Sequence, residues 1–435
     1  MARFAADVSG LAFGTVAGII TARWLGPAGK GLLSAVTFLC GFCIQIAIIG
    51  LGEAAMVAIG QKRNTRQEVM GTSIAVLIPA ALVGIAALLG ASRFEFHEEW
   101  AVARVPVLVA CLAIPANLLN QLVVCVINAE ERIVFTSVLL GASSFIIVAG
   151  TWVLVVVARW AVTGAVLASI LGVGITGLVG AGWLGAKGLS FVPKINRSYL
   201  KFALSFGPKV QLANLLIVAA ARLDVLVVYL LAGQSSAGIY SVALTVGMLS
   251  SMLPFALTMA SFPRIAGLGN AEAAQLILRL NRLTLAASAA VAIVIGALSP
   301  LLIPIAFSKA YSSSIIPTVI LLAGGVAASS QYALARARAA RGEPSVLLWS
   351  YTANTVIMLL LDYLLIPKFG VMGAAIASAL GSFAGLVISV AATIKLAGRR
   401  VAISELLPGI AELRDLAMAP TRVLSRPAAS ETTGA

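Results

Sequence analysis

Charge is scarce in this chain. Only 11 % of its 435 residues are charged and 60 % are hydrophobic, against roughly 25 % charged in a soluble domain. A water-soluble fold of this length has no interior large enough to hide that apolar surface, so the soluble classes are excluded. Histidine is nearly absent: His97 stands alone, which removes His-based metal sites and Ser-His triads. The four cysteines, Cys40, Cys43, Cys111 and Cys125, all fall inside apolar runs. Cys40 and Cys43 share a helical face, but a redox or metal site needs polar access and further ligands, so they read as packed residues. Nucleotide motifs are missing too. GPAGK (Gly26 to Lys30) has two residues between its glycines where a phosphate loop has four, and Gly31 follows the lysine where Ser or Thr is needed. ATP is therefore not the direct drive. No connection between apolar runs is long enough to hold a catalytic domain, and no acids cluster for chemistry, so neither an enzyme nor a cofactor is expected.

What the chain does have is length of apolar sequence. Runs long enough to cross roughly 30 Å of hydrocarbon lie near 8–24, 31–59, 69–91, 105–128, 135–157, 161–184, 203–231, 237–260, 283–306, 314–335, 346–366 and 373–396. The 40 glycines suit close helix packing where lipid supplies no hydrophobic drive for association. The net charge of +14 would suit nucleic acid, but the basic residues sit between apolar runs and form no patch, so nucleic acid is not a partner. Twelve spans put both termini on one side. With the termini inside, 21 basic residues fall in inside segments and 7 in outside ones, Arg23 and Lys30 among the 7. That asymmetry places both termini in the cytoplasm. The sequon at Asn196 is then cytoplasmic, and the acidic patch of Glu95, Glu98 and Glu99 is an outside, solvated surface.

The chain repeats itself. Residues 162–172 read VTGAVLASILG and residues 371–381 read VMGAAIASALG. Gly31 in LGPAGKGLLS aligns with Gly238 in LLAGQSSAGIYS, 207 residues on, and Gln121 aligns with Gln331 at nearly the same offset. An even number of spans per copy inserts both copies the same way up. The expected fold is all-α and polytopic, with twelve transmembrane helices as two parallel six-helix repeats around a central cleft. The expected domains are an N-terminal lobe at 1–184, a cytoplasmic linker at 185–202, a C-terminal lobe at 203–396 and a polar cytoplasmic tail at 397–435, whose end from Pro427 has a disordered composition. Rocking of two such lobes is transporter architecture.

Five ionisable residues lie within spans, and such groups are functional candidates by default. Arg222 sits about nine residues, or roughly 13 Å, from the outer end of its span. It suits either a diphosphate, through its planar fork, or a structural ion pair. Asp224 cannot pair with it along the helix, leaving one of the two for substrate or ion. Glu53 and Lys209 lie at similar depth in opposite lobes and are expected to pair as a cytoplasmic gate, the alternative being that Lys209 snorkels to the interface. Asp362, near an outer end, either pairs with Arg23 on the same side or is solvated at the interface.

Four stretches resemble the Wzx-like polysaccharide and O-antigen flippases of the multidrug/oligosaccharidyl-lipid/polysaccharide (MOP) exporter superfamily: ARWLGPAGKG (Ala22 to Gly31), RLDVLVVYLLAGQSSAGIYSVA (Arg222 to Ala243), FPRIA (Phe262 to Ala266) and YLLIPKFGVMGAAIASALG (Tyr363 to Gly381). The resemblance runs from about Asp7 to Leu396. It implies a MATE-like fold, a bacterial inner membrane, and a lipid-linked anionic glycan as substrate. It also implies a coupling ion (H+ or Na+) or substrate flow as the drive, and a polysaccharide polymerase and glycosyltransferases as partners. Related multidrug exporters share twelve spans and remain the rival reading.

Overall fold

A computed structural model describes residues 2–96, 100–266, 268–397 and 402–409. His97, Glu98, Glu99 and most of the tail from 398 lie outside the described residues. The regular structure described is helical: α1 Ala2–Ile48, α2 Leu51–Gly60, α3 Arg66–Glu95, α4 Trp100–Ala129, α5 Ile133–Thr151, α6 Ala161–Ala186, α7 Arg197–Gly247, α8 Met252–Ala266, α9 Asn270–Ala306, α10 Ile315–Ala340, α11 Pro344–Phe369, α12 Val371–Ala397 and a final turn, α13, Ile403–Leu406. Helices are what hydrocarbon permits, because each satisfies its backbone polar groups internally. Among the described residues, ten helices are long and apolar enough to cross a membrane. The side chains sort as a lipid environment requires. Large apolar residues such as Leu82, Val153 and Ile293 point outward, while Ala, Ser and Thr recur among the buried residues.

The sequence leads one to expect twelve spans, and the difference lies in two helices. Both α1 and α7 are two helical segments joined at a glycine with extended ψ and positive φ, Gly26 (φ 67) and Gly233 (φ 82). Only glycine takes that conformation freely. The joins are reversals. Thr21 and Lys30, on either side of Gly26, touch at 2.9 Å, and Asp224 and Tyr240, on either side of Gly233, touch at 2.5 Å. In a straight helix, residues nine and sixteen apart would stand roughly 13 and 24 Å apart along the axis. The two hairpins then cross. A Cβ on Gly31 would lie 1.9 Å from the Gln234 carbonyl oxygen, and one on Gly238 would lie 1.9 Å from the Pro27 carbonyl oxygen. The contact is reciprocal, and its glycines are the pair that the duplication aligns. The two break glycines stand at that same offset of 207.

Other local choices follow from the sequence. Thr65 and Glu68 form a capping box at the start of α3. Asn196 caps α7 by accepting from the backbone N–H groups of Ser198 and Tyr199. The linker before α7 is bound to α3: Gln67 bonds both backbone groups of Ser190, and Thr72 accepts from the Asn196 N–H while donating to the Lys194 carbonyl.

By packing, the chain forms two compact units. The first comprises residues 1–245, 299–318 and 355–378. There, small residues let α4, α5 and α6 approach: Gly172 faces Ile147, Gly177 faces Asn120 and Gly180 faces Val123. The second comprises 246–298, 319–354 and 379–435, with a core of Ile265, Ile277, Leu280, Ala333, Leu334 and Ala337. Within it, Asn354 donates to Gln331 at 3.0 Å, and Gly385 leaves the space that the Gln331 amide fills. These units are divisions by contact; the lobes at 1–184 and 203–396 rest on the sequence repeat.

The glycine crossing makes a prediction. Gly238→Ala drives a methyl into the Pro27 carbonyl and should cost about 1–3 kcal/mol, the usual range for overpacking, read as a lower melting temperature of the detergent-purified protein. Gly182→Ala, where nothing lies within 4 Å, should leave it unchanged; equal effects at both sites would show that the crossing tolerates separation.

Candidate functional site

The first unit buries two carboxylates. Asp224, before the break in α7, and Asp362, on α11, are both 0 % exposed. The Tyr240 hydroxyl donates to Asp224 Oδ2 at 2.5 Å. The hydroxyl of Ser378, on α12, bonds to both Asp224 and Tyr240. Yet Asp224 Oδ1 and both oxygens of Asp362 have no hydrogen-bond partner among the described residues. Asp362 lies close enough to Asp224 to feel its charge. A buried carboxylate without a partner is costly, and a second beside it adds like-charge repulsion. Protonation of one of the two acids would relieve both costs.

Asp362 corrects the sequence reading. It is neither solvated nor paired with Arg23. Arg23 instead donates to the carbonyls of Ile305 and Ala306, covering the unsatisfied C-terminal end of α9. Lys30 is the second correction. It is not an outside loop residue but a buried one, 8 % exposed, and its Nζ donates to Thr21 Oγ1. The charge of Arg222 lies near it. Arg222 itself is exposed and feels Asp224, but the hydrogen bonds that hold Asp224 come from Tyr240 and Ser378.

Glu53 on α2 accepts from Asn214 of α7 at 3.0 Å. Lys209, five residues earlier on that helix, is exposed, and no ion pair joins it to Glu53 among the described residues. Beside them, a Cβ on Gly50 would lie 2.2 Å from the Gly207 carbonyl oxygen, so the α1–α2 junction and α7 touch at the backbone. The four cysteines are free thiols, and Cys40 donates weakly to the Ala110 carbonyl.

The sequence singled out Asp224 and Asp362 as ionisable residues within spans, without their burial or mutual nearness, and missed the neutral residues around them. Tyr240, Ser378, Asn214 and Thr21 are uncharged residues in apolar runs. One signal was available: Ser378 is the serine of the repeated GAxxAS stretch, whose first copy carries Ser169.

Tyr240→Phe tests the cluster. It leaves Asp224 Oδ2 without its phenol donor and should destabilise the protein by about 1–3 kcal/mol, the cost of a buried unsatisfied group. An unchanged unfolding temperature in detergent would mean that Ser378 alone satisfies Asp224.

A profile described as polysaccharide biosynthesis protein matches residues 5–268. No curated protein matches the chain in sequence. Solved structures match its fold. A multidrug resistance MATE family transporter of the MOP superfamily in an inward-facing conformation aligns with TM-score 0.73 at 17 % identity, over 90 % of this chain and 96 % of that one. The lipid II flippase MurJ in an inward closed conformation gives TM-score 0.73 at 13 % identity, over 97 % and 99 %. A MOP superfamily transporter from Pyrococcus furiosus gives 0.64 at 15 %, over 91 % and 95 %. With an all-helical, multi-pass architecture and a profile covering more than half its length, the chain belongs to the polysaccharide biosynthesis protein family and has the fold of the MOP-superfamily transporters.

Proposed function

We propose that the protein is an alternating-access flippase that carries polyprenyl-diphosphate-linked oligosaccharide across the bacterial inner membrane for surface polysaccharide synthesis, either O-antigen or exopolysaccharide. The observation that carries this reading is the reciprocal crossing of the two hairpins. Gly26 and Gly31 in one, and Gly233 and Gly238 in the other, are matched at one offset; the first of each pair makes the reversal and the second packs on the opposite hairpin. Two reversals turn ten apolar helices into twelve crossings. The 62-residue stretch Arg197–Thr258 would be about 93 Å long if straight, three times the hydrocarbon thickness. Twelve crossings in two parallel repeats support rocking about a shared axis. Both termini then lie in the cytoplasm, as the basic-residue asymmetry requires.

The buried acids supply the drive in this reading. A proton or sodium ion at Asp224 and Asp362 discharges their repulsion, and its arrival and departure bias the two states by differential binding. Glu53 and Lys209 stand as the proposed cytoplasmic gate, formed in a state other than the one with Glu53 on Asn214. The lipid-linked glycan, its polymerase and its glycosyltransferases are the partners.

An ion-coupled multidrug exporter is the second reading, favoured by the acid pair, since buried carboxylates also suit cationic drugs. Gene deletion separates the two. Accumulation of lipid-linked glycan on the cytoplasmic leaflet supports the flippase; unchanged glycan with altered dye efflux supports the exporter. In the deletion strain, Asp362→Asn should restore less than about a tenth of transport, as loss of a charged partner worth about 1.5–3 kcal/mol implies. Collapsing the proton or the sodium gradient separately identifies the ion. Full complementation by both Asp224→Asn and Asp362→Asn would remove the acids from the mechanism.

A further inference from the structure

A second contact joins the two sequence repeats, between the first segment of α1 and the end of α9. Arg23, three residues before the Gly26 break, donates from Nε to the Ala306 carbonyl at 2.7 Å and from Nη2 to the Ile305 carbonyl. The contact is reciprocal. Tyr311, in a 3-10 turn at Lys309–Ser314, donates its hydroxyl to the Ala22 carbonyl at 3.0 Å. Ile305 and Ala306 end α9, and Ala22 lies in the last turn before the Gly26 break. All three acceptors are therefore carbonyls of the kind that a helix end leaves unsatisfied. Tyr311 and Ala22 are both 0 % exposed, whereas Arg23 is exposed. The phenol bond is the enclosed centre of the clasp, and the guanidinium bonds are its wet rim. Both sides of the clasp belong to the first compact unit.

The connection that carries Tyr311 is strained. Ser308, between the end of α9 and the turn, has φ 118 and ψ 164, a region that is essentially reserved for glycine. Such a backbone persists only where its surroundings impose it. Here they are the end of α9, held by Arg23 on one side, and Tyr311, held three residues on by Ala22. Phe307, itself buried, sets its ring edge-on to Tyr311 with centroids 6.4 Å apart. The bonds of the clasp and the backbone of Ser308 thus act against each other.

We propose that Arg23 and Tyr311 form an outer latch between the repeats, which closes and opens during transport, with Ser308 as the spring that keeps the closed form from becoming too stable. The inference rests on the flippase reading and adds to it the contact that shuts the outer side. On the proposed topology Arg23 and Lys309 both lie at the outer face. When two repeats rock, groups that bond across them in one state separate in the other. The glycine crossing stays in place as the pivot, and the latch, set in the same hairpin, lets go. Each bond is a modest net gain once water competes for its partners, the scale on which a contact can close and still open. Strain carried only by the closed form biases the pair of states the other way.

The test is pulsed electron resonance on the full-length protein in nanodiscs. Its four native cysteines are changed to alanine, and spin labels are placed at Ala28→Cys and Ser313→Cys, both exposed positions. The latched distance should dominate in this parent protein. Tyr311→Phe should raise the longer-distance population at least about threefold, and Arg23→Gln should raise it less. Ser308→Gly, added to Tyr311→Phe, should bring that population back down by up to about fivefold, because glycine takes the Ser308 backbone freely. A tie that merely holds the fold together would lower the melting temperature and leave the distances alone, and that result overturns the latch. So does a further lengthening on addition of Ser308→Gly. Should Arg23→Gln misfold, the Tyr311 and Ser308 variants decide. The measurement needs no substrate, which keeps the two claims apart. A wild-type gene that fails to clear accumulated glycan from the deletion strain ends the flippase reading, whereas only the distances bear on the latch.

Discussion

Helices in lipid gain nothing hydrophobic by touching one another, so this fold depends on contacts that side chains would prevent. The contact that organises the first unit is the crossing of Gly31 and Gly238, where each Cα faces the other hairpin's carbonyl. Around it, every polar group of interest falls into place. Thr21 and Lys30 clasp one hairpin across its break; Asp224 and Tyr240 clasp the other. Each clasp joins a residue before the reversal to one after it, so the same bond that satisfies a buried polar group also holds the turn closed. The backbone contact fixes where the hairpins meet, and the clasps fix how each is folded.

The charges divide by sign. Asp224 and Asp362 form an acidic cluster with unpartnered oxygens; Lys30 is buried against the Thr21 hydroxyl. Arg222, two residues before Asp224 on the same helix, feels its charge. In the proposed reading the acidic cluster takes the coupling cation.

The sequence made the membrane class and the repeated stretches legible, because hydrophobic length and repeated words are written locally. The offset of 207 between Gly31 and Gly238 was visible in the letters; that the two glycines touch was not, since sequence alignment says which residues are equivalent and nothing about which face each other. Burial was the other blind spot. Lys30 follows a Gly-Pro turn and reads as an exposed loop charge, yet the reversal at Gly26 folds it back against Thr21. Asp362 lies near a helix end and reads as solvated, yet it is fully buried and feels the charge of Asp224. Neutral partners such as Tyr240 and Asn214 are silent in an apolar run, because a hydroxyl or amide there barely changes its hydropathy.

The central claim is that two hairpin-crossed repeats alternate about a contact that stays closed while the cytoplasmic ends move. Spin labels at Lys62, in the α2–α3 connection, and Glu343, in the α10–α11 connection, measure it directly in lipid nanodiscs by pulsed electron resonance. The account predicts at least two distance populations whose ratio shifts when farnesyl diphosphate or the coupling gradient is applied. A single distance, unchanged under every condition, would contradict it.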